Sequence, residues 1–216
     1  MSSPTGTDNR RRHNLIPVQT IGWMIQGERL VDDLLLTIDD MDGPTGVPGW
    51  TYRRVLARCN SNAVELAAAL ATAHGRPHSV ILDDSSPAQP EGGDPATGDI
   101  DELLRRRDFT RARLVDEVAR LPDTAWNSMV TVPGAGLINT SRIPWLRTRE
   151  LYLRAADLGT TMTLDDLPDD IVDALLADAV GELATEPELR SSTAGWLIGG
   201  ELTRRTSPAT GRRGRH

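Results

Sequence analysis

The spacing of its apolar residues constrains this chain more than any other feature. Between Trp23 and Met41 the positions Met24, Leu30, Val31, Leu34, Leu35 and Ile38 recur at the three-to-four-residue interval of a helix. Asp42-Gly43-Pro44 supplies a stop. After Pro48-Gly49-Trp50, Thr51 is placed as the N-cap of a second helix. That helix has an apolar stripe of Val55, Leu56, Cys59, Ala63, Leu66 and Leu70 and closes at His74-Gly75. A third runs over residues 99–121 on Ile100, Leu104, Leu114, Val118 and Leu121, and Pro122-Asp123 ends it. Residues 126–132 read as extended, and Pro133-Gly134-Ala135-Gly136 as a turn. A fourth helix starts near Ser141 and passes through Pro144-Trp145 to Leu158-Gly159. A fifth, over 168–184, has Pro168 in its first turn and Asp169 and Asp170 at its positive dipole end.

Four helices with a long second-to-third connection suit a bundle whose site lies between facing helices. That connection, about 76–98, is rich in Pro, Gly, Asp and Ser, the composition of a functional cover or an excursion from the fold. The expected organisation is a disordered arm over 1–18, the bundle over 19–160, a small helix/strand appendage over 161–203 and an Arg-rich disordered tail over 204–216. Within the appendage, residues 191–198 read as one strand.

Charge narrows the partners. All 24 basic residues are arginine, and the net charge is −7. Five arginines fall in the last thirteen residues and three in the first thirteen, so the body between them is strongly acidic. Such a body repels polyanions, which argues against nucleic acid. The single Cys59 excludes a disulfide framework and a cysteine-built metal site. The polar N-terminus is unlike a signal peptide, and no apolar run approaches the roughly 20 residues of a membrane span. A cytoplasmic protein, with no membrane partner and with a homodimer allowed, is the expectation.

Three segments carry a family likeness. Pro48-Gly49-Trp50-Thr51 followed by Val55-Leu56-Ala57 resembles the opening of the second helix in mycothiol-dependent maleylpyruvate isomerase-like proteins, in which a His follows. Ile143-Pro144-Trp145-Leu146-Arg147-Thr148-Arg149-Glu150, with Asp157-Leu158-Gly159 beyond, resembles their fourth helix. Leu121-Pro122-Asp123-Thr124-Ala125-Trp126 matches a third common stretch. The resemblance implies a mainly α fold, a DinB-like four-helix bundle with a short, truncated α/β C-terminal appendage. It also implies a core metal, typically zinc, held by a His on the second helix and a Glu and a His one turn apart on the fourth. At that metal the thiol of mycothiol becomes a thiolate nucleophile.

Carried over residue by residue, the three ligand positions are Arg58, Glu150 and Arg154. A guanidinium is always protonated and offers no lone pair to a metal. His74 lies sixteen residues beyond Arg58, roughly 24 Å of helical rise, and cannot repair the site. His78 falls in the long connection, and His13 and His216 fall in the tails. No metal is therefore expected, zinc is disfavoured, and mycothiol stays open as a cofactor.

Two readings of the arginine-substituted site remain. In one, Arg58, Glu150 and Arg154 form a sealed salt-bridge cluster, with Glu150 and Arg154 in the favourable i, i+4 order and Asp157 a turn beyond. In the other, the arginines bind a carboxylate, enolate or phosphate. Under the second, Arg58, Glu150 and Arg154 are the catalytic candidates, and Trp50, Trp145, Arg149 and Asp157 the substrate-binding ones. Of Arg147 and Arg149, one is expected at the surface and one as a clamp. Cys59 is expected to be a buried, inert thiol, and Tyr152 to face away from Glu150. The function expected is a metal-independent enzyme that isomerises, cyclises or otherwise rearranges a small acidic or carbonyl-bearing substrate. The alternatives are a residual mycothiol-dependent isomerase or S-transferase, and a non-catalytic ligand-binding protein.

Overall fold

A computed structural model describes residues 17–76, 96, 99–160 and 162–185, with side chains to residue 182. The arm before residue 17, the strand expected over 191–198, the Arg-rich tail and His13, His78 and His216 lie outside those residues. Two compact units divide the chain, residues 1–167 and 168–216.

The first unit holds α1 (Val18–Leu35), α2 (Tyr52–Ala73), α3 (Ile100–Arg120) and α4 (Ile143–Leu158), with a hairpin of β1 (Met129–Val132) and β2 (Gly136–Asn139) before α4. It is a four-helix bundle in which α1 packs along α4, α2 packs on both α3 and α4, and β1 lies against α2. The apolar stripes read from the sequence turn inward except at Leu104, which is exposed while its neighbour Leu103 is buried. Met24, Leu66, Leu70, Leu114, Val118, Trp126, Val130 and Ile143 share one buried cluster, and Leu56, Ala57 and Leu103 another. In the second unit, α5 (Asp169–Thr185) begins where the amides of Ile171 and Val172 reach the Pro168 carbonyl. Among the described residues, no helix is long and apolar enough to cross a membrane.

Helix ends follow their capping chemistry. The Thr51 hydroxyl accepts the Arg54 amide, and Gly75 and Gly159 end α2 and α4 at φ 72° and 62°. α1 departs from its expected span of 23–41 and stops at Leu35. There the amide and hydroxyl of Thr37 both bond the Leu34 carbonyl, turning the chain, so Met41 packs on the core from the connection. Trp126 is not extended. Residues Asp123–Asn127 form a 3₁₀ turn that buries its indole, and strand begins only at Met129. The strand β2 has no counterpart in the sequence reading; Val130 pairs with Ile138 across the turn at Gly134.

One stitch matters for the site. The Gly46 amide donates to the Asp157 carbonyl at 2.9 Å, tying the α1–α2 connection to the end of α4. The backbones approach so closely that a Cβ on Gly159 would sit 3.0 Å from the Gly46 nitrogen. Only three residues lie between Gly46 and Trp50, so this contact fixes Trp50 beside the last turns of α4.

Candidate functional site

Antiparallel packing of α2 against α4 brings Arg58, Glu150, Arg154 and Asp157 together. Arg58 Nε donates to Glu150 Oε1 at 3.1 Å, and Arg154 Nε donates to the same oxygen at 3.0 Å. Arg154 also donates through Nη1 to Asp157 Oδ2. Its guanidinium stands 5.4 Å from the Trp50 ring centroid, and Arg54 stands 5.1 Å from that ring. Two cations thus stand within reach of the Trp50 π-face, which attracts them.

The two arginines on Glu150 are not equivalent. The Arg154 side chain is 20% exposed and is engaged by Glu150, Asp157 and Trp50. The Arg58 side chain is 46% exposed and is tethered through Nε alone. Its terminal nitrogens have no hydrogen-bond partner among the described residues. Arg154 has the setting of a strut, and Arg58 that of a donor left over for something else.

A second charged centre lies one turn earlier on α4. Arg147 is fully buried and donates to Glu28 Oε1 at 2.7 Å, the Cys59 carbonyl at 2.7 Å and Asn62 Oδ1 at 3.0 Å. Arg107 of α3 lies 2.7 Å from Glu28 Oε2 and donates to Asp32, which Arg111 also pairs. Burial alone would raise the Glu28 carboxyl, but Arg147 and Arg107 outweigh it and hold the group below its ordinary range. The Glu28 carboxylate joins α1 to α3 and α4, and the Arg147 guanidinium adds α2. Arg147 is therefore not at the surface; full burial and its bonds to Glu28, the Cys59 carbonyl and Asn62 make it a core residue.

The remaining candidates separate. Trp145 stands edge-on to Trp23 of α1 at 6.2 Å between centroids. Nine residues of α4, about 13 Å of rise, separate it from Arg154. Arg149 is partly buried on α4. Tyr152 is buried and packs on Gly27, away from Glu150. Cys59 is fully buried, and burial pushes its thiol up against the pull of Arg147 and Arg107, the state of an inert thiol. His74 sits at the far end of α2, with Nε2 3.7 Å from the buried Glu117 carboxylate.

The family model of the mycothiol maleylpyruvate isomerase N-terminal domain matches residues 26–159, more than half the chain. The chain belongs to this family. Two solved structures agree in fold. A mycothiol-dependent maleylpyruvate isomerase superposes with a TM-score of 0.65 at 22% identity, and a histidine-to-alanine mutant of such an isomerase with 0.68 at 23%. Each comparison covers 81% of this chain and 73% of the other. No curated protein matches the sequence. The family match spans α2 and α4, the two helices that carry the cluster.

The donor set on that face does not fit a metal. Arg58 and Arg154 both donate to Glu150 Oε1, so the carboxylate meets cations, and the guanidinium groups have no lone pair to offer. Among the described residues no three His, Cys, Asp or Glu side chains gather as a metal would need.

Sequence reasoning missed two groups. Glu28 lies in the first helix of the bundle and carries the buried network; its sole signal was a charge amid an apolar-periodic segment. Glu65, on the Ala- and Leu-rich half of α2, is the sole charged residue between Arg58 and Arg76. It is partly buried and stands within electrostatic reach of Arg58 and Glu150.

Proposed function

We propose that this family member is a metal-independent enzyme that isomerises, cyclises or otherwise rearranges a small anionic, carbonyl-bearing compound. One observation carries the reading: Arg58 is half-exposed on the α2–α4 face and spends only its Nε on the protein. Two terminal nitrogens in a planar fork suit a carboxylate or an enolate oxygen. Negative charge that develops on a substrate there meets a donor whose position Glu150 has already set.

The other residues divide the work. Glu150 tethers Arg58, with Oε1 shared between two guanidinium groups. Arg154 is a strut, held by Glu150, Asp157 and Trp50, and it keeps Glu150 in place. Trp50 and Asp157 act on substrate through that strut, and Arg149 is a further substrate-binding candidate on α4. Trp145, by its distance along α4, supports the α1 side of the helix.

A second reading follows from the family match: a mycothiol-dependent isomerase or S-transferase without the metal. A thiol delivered beside Arg58 would be favoured as thiolate by the guanidinium charge, as cationic neighbours favour it elsewhere.

Titration calorimetry with maleate and with 2-oxobutyrate tests the first reading. Binding to the unmodified protein is expected to weaken about ten- to a hundredfold in Arg58→Ala, the range of a lost charged hydrogen bond. Equal affinity in both proteins would sink it, as would stoichiometric zinc in the purified protein. Turnover that requires added mycothiol would move the function to the second reading.

A further inference from the structure

We propose that Glu65 is the proton-transfer residue of this site, acting on a small acid held by Arg58. The inference rests on the anion-binding reading of Arg58 and adds the group that would do the chemistry.

Glu65 and Arg58 are seven residues apart on α2. Two turns return a residue to nearly the same face, about 10 Å further along the axis. Glu65 is partly buried, neither sealed from substrate nor open to bulk water. The charges that act on it come from Arg58 on its own helix and Glu150 on α4, two members of the cluster described above.

Its protonation behaviour fits the role. Burial raises the Glu65 carboxyl above 4.5, Glu150 adds to the rise, and Arg58 opposes it. Three other carboxyls with a clear shift, Glu28, Asp42 and Asp166, are all lowered by their hydrogen bonds and partners. A raised carboxyl two turns along the helix from a guanidinium that Glu150 holds in place supplies a base and an anion-binding group to one helix face. Glu150 already gives Oε1 to two guanidinium groups and serves as a tether.

The step balances without an oxidant or further reactant. Glu65 carboxylate takes a proton from the carbon beside a carbonyl; the C–H bond breaks and its electron pair moves to the carbonyl oxygen as an enolate. Arg58 stabilises that enolate. Glu65 then returns the proton to another carbon of the conjugated system, a new C–H bond forms, and the double bond has migrated. The implied substrates are short unsaturated 2-oxo acids.

Hydrogen exchange of 2-oxobutyrate in D2O, followed by proton NMR, reads the first half of this step. The unmodified protein is expected to exchange the C3 hydrogens, with a rate that rises with pH through a midpoint above 4.5. Glu65→Gln should lower the rate at least a hundredfold while 2-oxobutyrate affinity changes less than about threefold. Glu65→Asp should restore part of it, and Arg58→Ala should move the midpoint upward by removing the opposing charge. Exchange retained in Glu65→Gln overturns the inference, as does loss of binding together with exchange, which marks a structural role. No exchange by the unmodified protein while maleate still binds overturns it too, and leaves the Arg58 site standing. Failure of maleate and 2-oxobutyrate to bind at all removes the site and this inference together.

Discussion

Two clusters of arginine and carboxylate lie one turn apart on α4, built from the same chemistry in different surroundings. Around Arg147 the guanidinium groups are buried and shared among Glu28, a backbone carbonyl and Asn62. Around Arg58 the guanidinium is half in water and keeps two nitrogens uncommitted. A buried charge that loses its partner has no solvent to replace it, whereas an exposed one does. The inner cluster is therefore fitted to hold helices in register and the outer one to exchange partners. The difference teaches that burial, more than residue type, divides arginines locked into the core from arginines that keep donors in water.

The contrast can be broken most forcefully at its buried end. Arg147→Ala should cost about 3–5 kcal/mol in chemical denaturation, because Glu28 would be left charged and half-paired in the core. A loss below about 1 kcal/mol would say that the inner cluster is no more structural than the outer one.

Acid sharpens the same distinction. The folded Glu28 carboxyl is held below its ordinary 4.5, so its contribution is fully present above that value and is lost as pH falls through the folded midpoint. Stability measured by urea unfolding should fall as pH drops below about 4.5, and Glu28→Gln should flatten that fall. Glu65 has the opposite sign. Its raised carboxyl is a stability cost that appears as pH rises above 4.5, so Glu65→Gln should be slightly stabilising at neutral pH and neutral in acid.

The smallest effect is expected at Arg58. Its removal should change stability by less than about 1 kcal/mol, because the pair with Glu150 is solvated and Arg154 still holds that carboxylate. A larger loss in a urea melt would place Arg58 with Arg147 as a structural residue and erase the division between the clusters.

Much of this was legible in the residues. Apolar period and stop signals gave five helices, Thr51 its cap and Gly159 its helix end, because those features act within one or two turns. The motif at Pro48–Thr51 and the run Ile143–Glu150 pointed to the family that the match over residues 26–159 establishes. The i, i+4 spacing of Glu150 and Arg154 anticipated their pairing. Trp126 misled because a 3₁₀ turn buries an aromatic as well as a strand does. Arg147 misled because its neighbours in sequence, Arg149 and Glu150, say nothing of Glu28, more than a hundred positions away.

The sequence by itself determined where helices start and stop and which family the chain resembles. These follow from local spacing and residue chemistry. Only the tertiary structure decided which arginine is sealed and which is open. That choice depends on Trp50 being carried to Arg154 by the Gly46–Asp157 contact and on Glu28 meeting Arg147 and Arg107 at once. Charge acquires its role from the dielectric and the partners around it, and both are set by segments far apart in the chain.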